Sequence, residues 1–169
     1  MALEKKFHSV LNIKGFGFFE IYITKSHDIK DFGASFVSSF DSIKKAYNFC
    51  DRTYSTDDFK IHGPFLLEKL KSTDFTKLDD GIFNNIKEFI LFASRGQSIY
   101  DFDKIELLHT EFVPLNLTWY FITYAEWTDW NNTTGLWDDR YWIANPYRFY
   151  RSYIGYNQQD VCIIKLYLD

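Results

Sequence analysis

The residues best suited to chemistry gather between Trp119 and Tyr156, where all five tryptophans and seven tyrosines are threaded with charge. Glu126, Asp129, Asp138 and Asp139 stand among Trp127, Trp130, Trp137 and Trp142, with Arg140 and Tyr141 in the same run. Adjacent carboxylates beside an indole can have raised pKa values and serve as general acids. Neighbouring acids on an extended chain point apart, however. The same residues also make an acidic rim around tryptophan anchors, and Trp, Tyr and Arg dominate the hot spots of protein interfaces. The interface reading is the favoured one for residues 126–142, and its fitting partner is a basic protein met by charge complementarity. A purely structural use competes with it: large aromatics filling a small core beneath a long connection, with the charges capping it.

Arg148 and Arg151, interleaved with Tyr150 and Tyr153, form a second constellation. Arginine grips phosphate and tyrosine stacks on bases, so the alternative is a nucleotide or other small-molecule site, or a hydrolase. Asp138 or Asp139 would supply its acid or base. Arginines packed on tyrosine faces give the same spacing without a ligand. Two arginines are too few for a nucleic-acid track. With a net charge of −4 and no basic block, direct nucleic-acid binding is not expected.

Other chemistries lack their residues. His109-Thr110-Glu111, read as part of a strand, offers two ligands on one face, but no Cys or second His joins them, so no metal is expected. The deaminase pattern needs a Pro-Cys-x-x-Cys that neither Cys50 nor Cys162 provides. His8 and His109 both fall on predicted strands, yet Val10 and Glu111 stand where two-histidine phosphoesterases carry hydroxyls. No GxSxG elbow is present, and Gly15-Phe16-Gly17 lacks the third glycine and following helix of a dinucleotide loop. No cofactor is expected. The balance leans toward binding rather than catalysis.

The elements that must position these residues follow from periodicity. Residues 7–13 and 16–24 read as a hairpin turned at Lys14-Gly15, with both faces of the second strand apolar. Phe32 to Phe40 is undecided between strand and loop. Helices are predicted over 41–50, over 64–73 from Gly63-Pro64, and over 79–94. The last carries an apolar stripe of Ile82, Ile86, Phe89, Ile90 and Ala93. Residues 104–112, 117–127 and 161–168 read as strands, which leaves 128–160 as a connection, with a helix over 138–152 as its alternative. The whole is one α+β domain over 1–169. Its mainly antiparallel sheet has about five strands, and about three helices are inserted between the N-terminal hairpin and the C-terminal strands.

Composition fits this reading: 46% hydrophobic and 21% aromatic residues build a globular core from Phe and Tyr. Two distant cysteines, no secretory leader pattern and no long apolar run point to a cytoplasmic protein with no membrane association. A small, acidic, aromatic-rich chain without catalytic motifs is similar to bacterial immunity proteins that neutralise a cognate toxin, and to phage-encoded inhibitors. That resemblance is one of composition, with no motif matched, and implies an inhibitor that docks on a basic toxin or nuclease.

Overall fold

Phe19, Ile21 and Ile23 alternate with Phe18, Glu20 and Tyr22, and a strand apolar on both sides belongs in a sheet covered on two faces. The computed structural model describes residues 5–13, 17–25, 36–37, 40–41, 43–44, 61–62, 65–66, 70–79, 81–95, 102–124 and 149–168. Six strands form its main sheet: β1 (Lys5–Ile13), β2 (Gly17–Lys25), β5 (Thr76–Lys77), β6 (Thr118–Tyr124), β7 (Phe149–Tyr156) and β8 (Asp160–Leu168). They lie in the order β1-β2-β8-β7-β6-β5, and every neighbouring pair is antiparallel. The last strand thus enters the middle of the sheet, beside the N-terminal hairpin.

One face is covered by helix α1 (Ile82–Ala93), whose buried residues are the predicted stripe, Ile82, Ile86, Phe89, Ile90 and Ala93. They join a core with Phe19, Ile21, Tyr153, Ile164 and Leu166 from the central strands. Each such side chain, fully buried, contributes about 1.5–3 kcal/mol. Helix α2 (Phe102–Phe112) adds Ile105 to the same core. On the opposite face Phe36 stacks on Tyr120 with centroids 4.0 Å apart and also meets Phe40 and Phe75.

Three expectations are corrected by these elements. Residues 104–112 are helical, not extended: Ile105 is buried while Leu107 is 69% exposed, and a strand would place both on one face. The helix expected over 64–73 is replaced by a small hairpin of β3 (Ile61–His62) and β4 (Phe65–Leu66), then a 3-10 turn over Ser72–Asp74. Asp74 accepts the Lys71 N–H at 2.7 Å, and the chain must then extend so that Thr76 and Lys77 can pair with β6. Within the connection expected over 128–160, residues 149–156 are strand β7, and 128–148 lie outside the described residues. In the region left undecided or predicted helical, residues 36–37, 40–41 and 43–44 are helical, and the remainder of 41–50 lies outside the described residues.

Two local devices fix the central strands. Asn157 Oδ1 accepts the N–H groups of Gln159 and Asp160, each at 2.7 Å, closing the β7–β8 turn, while its amide donates to the Leu115 carbonyl at 2.6 Å. Gly17 has φ +149°, and a Cβ there would collide with the Tyr167 carbonyl oxygen, so β2 approaches β8 closely only because residue 17 is glycine. Among the described residues no helix is long and apolar enough to cross a membrane.

Candidate functional site

The favoured interface residues (Glu126, Trp127, Asp129, Trp130, Trp137, Asp138, Asp139, Arg140, Tyr141 and Trp142) lie outside the described residues, as does Arg148. The structure does describe the base from which they depart. Tyr124 and Tyr150 are register partners at the ends of β6 and β7, so the two described strand ends that flank residues 125–148 lie side by side on adjacent strands.

That base is held on both faces, because successive β7 residues alternate sides. Phe149 meets Phe92 of α1 edge-on, with centroids 5.8 Å apart. Tyr150 points to the other face, where its ring lies 5.1 Å from that of Tyr167. Arg151 returns to the α1 face. Its guanidinium sits 4.1 Å from the Phe89 centroid and 4.9 Å from that of Phe121, and Nη1 donates to Asn85 Oδ1 at 2.8 Å. The Tyr153 hydroxyl donates to the same oxygen at 2.9 Å. Burial pushes the Tyr153 phenol well above its ordinary pKa, with the Arg151 charge and its hydrogen bond opposing, so it is a neutral donor at physiological pH.

The three described residues of the alternative ligand constellation are therefore divided between the two faces. Arg151 and Tyr153 share the helix-covered face and both bond Asn85, while Tyr150 lies on the opposite face. In this arrangement Arg151 fastens α1 to the sheet by cation–π and hydrogen-bond contacts at once.

A second polar cluster lies on the face that carries Tyr150. Glu20, Lys165 and Ser152 are consecutive register partners across β2, β8 and β7. Lys165 Nζ is 3.7 Å from Glu20 Oε2, with the lysine side chain fully buried. The Tyr22 hydroxyl donates to Glu20 Oε1 at 2.6 Å, and the Lys165 ammonium sits 5.4 Å from the Tyr22 ring centroid. A charge taken this far from water is tolerated only when paired and hydrogen-bonded. Sequence reasoning does not single these residues out. The signal is nonetheless present: one acid in FGFFEIYIT and one base in VCIIKLYL, each alone in a strand apolar on both faces.

His109 is on α2, its ring stacked on Phe83 at 4.9 Å, so it does not share a strand face with Glu111 as expected. Burial lowers its pKa and the Glu106 charge partly opposes that. Among the described residues no three His, Cys, Asp or Glu side chains are grouped so as to hold a metal ion. Cys162 is buried in the helix-side core. Compared with protein-family models, curated proteins and solved structures, the chain shows no match.

Proposed function

We propose that this protein is a binding protein that docks on a basic protein partner through the acidic, tryptophan-rich residues 126–142, acting as an inhibitor of the immunity type. The observation that supports this reading is the Tyr124–Tyr150 register pair. It sets the two strand ends that flank the segment side by side, and recognition residues work best when a rigid scaffold positions them. Phe149, Tyr150 and Arg151 supply that rigidity at its base. The chain's net charge of −4 favours encounter with a basic surface, and tryptophans then anchor it. A nucleotide or other small-molecule site is less well supported, because Arg151 is engaged by Asn85, Phe89 and Phe121 and lies across the sheet from Tyr150.

The test is affinity capture from cells of the source organism with immobilised wild-type protein and with the Trp130→Ala/Trp137→Ala variant. The protein retained is then purified and titrated calorimetrically against both. Loss of about 100-fold or more in affinity with an unchanged melting temperature is the expected result for two hot-spot tryptophans. Unchanged binding, or a variant that no longer folds, would place those tryptophans outside the interface or in the core and overturn the reading.

A further inference from the structure

The two edges of the main sheet differ. At one end β5 is only two residues long, Thr76–Lys77, and short edge strands resist further pairing. At the other end β1 runs for nine residues, and among the described residues no strand pairs with its outer side. Its register with β2 is continuous from Phe7 to Ile13, and the one irregularity falls between Lys5 and Phe7. A regular ladder on one side of a strand presents a regular row of N–H and C=O groups on the other. The devices that normally protect such an edge, lysine and a bulge, are confined to its first residues. Val10, mid-strand, is 52% exposed.

We propose that β1 pairs with β1 of a second copy of this chain, antiparallel about a two-fold axis at Ser9, so that the two six-stranded sheets become continuous. The sequence of β1 is self-complementary in that register. Phe7 falls opposite the second copy's Leu11, and these are half-buried residues that already pack against the helix-side core. Val10 falls opposite the second copy's His8. Lys5 and Lys6 fall opposite Ile13 and Asn12, so no lysine faces a lysine, whereas a parallel pairing would set each lysine against its own copy. This two-fold contact closes on itself and stops at two chains, because the opposite edge of each sheet is the short β5.

The wild-type chain is measured by sedimentation equilibrium over a dilution series, beside the Val10→Lys variant. Val10 is exposed enough for lysine to be accepted in the single chain, which a matching melting curve at low concentration verifies. In the pair the two new lysines stand diagonally across the axis, and the dimer constant is expected to weaken by about ten-fold or more. As a second measurement, Ser9→Cys in a Cys50→Ser background should form an intermolecular disulfide on mild oxidation. Paired Cα atoms about 4.5–5.5 Å apart suit that bond. Val37→Cys, on an exposed site away from this edge, should not cross-link. A wild-type chain that stays monomeric throughout overturns the proposal. So does a dimer that Val10→Lys leaves intact, or one in which the Ser9→Cys variant fails to cross-link.

Discussion

Glu20 and Lys165 face each other across β2 and β8, 3.7 Å apart, near the middle of the sheet and out of solvent. The Tyr22 hydroxyl bonds the same carboxylate. Removing one partner takes the opposite charge away from a group held out of water. Lys165→Met or Glu20→Gln is therefore expected to destabilise the fold by about 3–5 kcal/mol. The double replacement Glu20→Leu/Lys165→Met should recover most of that loss, because a packed apolar pair of similar volume is often as stable as a buried ion pair. Urea unfolding of the wild type, both single variants and the double variant closes the cycle. Additive losses would show that the two charges are not coupled.

A different kind of strain sits at the end of α1. Arg95 follows the Ser94 cap with φ 53°, the left-handed conformation that most side chains avoid, and its N–H bonds the Phe92 carbonyl at 3.1 Å. Its side chain is exposed. Glycine fits this position without the Cβ penalty, so Arg95→Gly is expected to raise stability by about 0.5–1 kcal/mol, even though glycine elsewhere in a helix lowers it. The check is a denaturation midpoint that rises with an unchanged slope. A fall would mean that the arginine side chain makes a contribution larger than the backbone strain.

The outline of the fold is legible in the sequence wherever one period dominates. The α1 stripe can be read residue by residue, because its buried positions recur at three and four and its exposed ones, Lys87, Glu88 and Leu91, fall between them. The strands β1, β2 and β8 are legible from short runs dominated by apolar, β-branched and aromatic residues. Helix α2 misleads because Ile105, Thr110 and Phe112 suggest a strand by type, while only the burial of Ile105 against the exposure of Leu107 reveals the helical period. Strand β7 is hidden for the opposite reason. Both of its faces are covered, so no alternation shows, and Arg151, Ser152 and Gly155 interrupt the apolar signal. Each interruption has a tertiary partner that sequence spacing does not carry: Asn85 and Phe89 for Arg151, the Lys165 row for Ser152, and the Trp119 ring for Gly155. The same limit hides the Glu20–Lys165 pair, whose members lie at opposite ends of the chain.

His109 gives the molecule a pH dependence of known sign. Its imidazole stacks on Phe83 between the two helices, and burial holds its pKa below the ordinary value, with Glu106 opposing. The folded state thus prefers the neutral ring. Its contribution to stability is present above the unfolded value of about 6.5 and is lost as the pH falls through the lower folded value. Denaturation midpoints measured from about pH 7.5 to 5.5 should fall for the wild type and fall less for His109→Phe, which keeps a ring on Phe83 and removes the titration. Parallel profiles would exclude the histidine as the source.

Gly155 and Trp119 give the sharpest steric test. They are register partners on β7 and β6, and the indole lies across the glycine so closely that a Cβ at residue 155 would stand 2.7 Å from Trp119 Cε2. An aromatic ring laid over a strand glycine restores packing that the glycine itself lacks. The neighbour that must move is a ring half-buried against the core, not the end of a flexible chain. Gly155→Ala is therefore expected to destabilise by about 1–3 kcal/mol, the usual penalty of overpacking. In a Trp119→Leu background the ring is gone, and the same alanine should be tolerated or mildly stabilising, since alanine restricts the unfolded chain more than glycine. Thermal and urea unfolding of the four combinations separates the two effects. If Gly155→Ala is equally damaging in both backgrounds, the glycine is required by the backbone of β7 and not by the tryptophan that covers it.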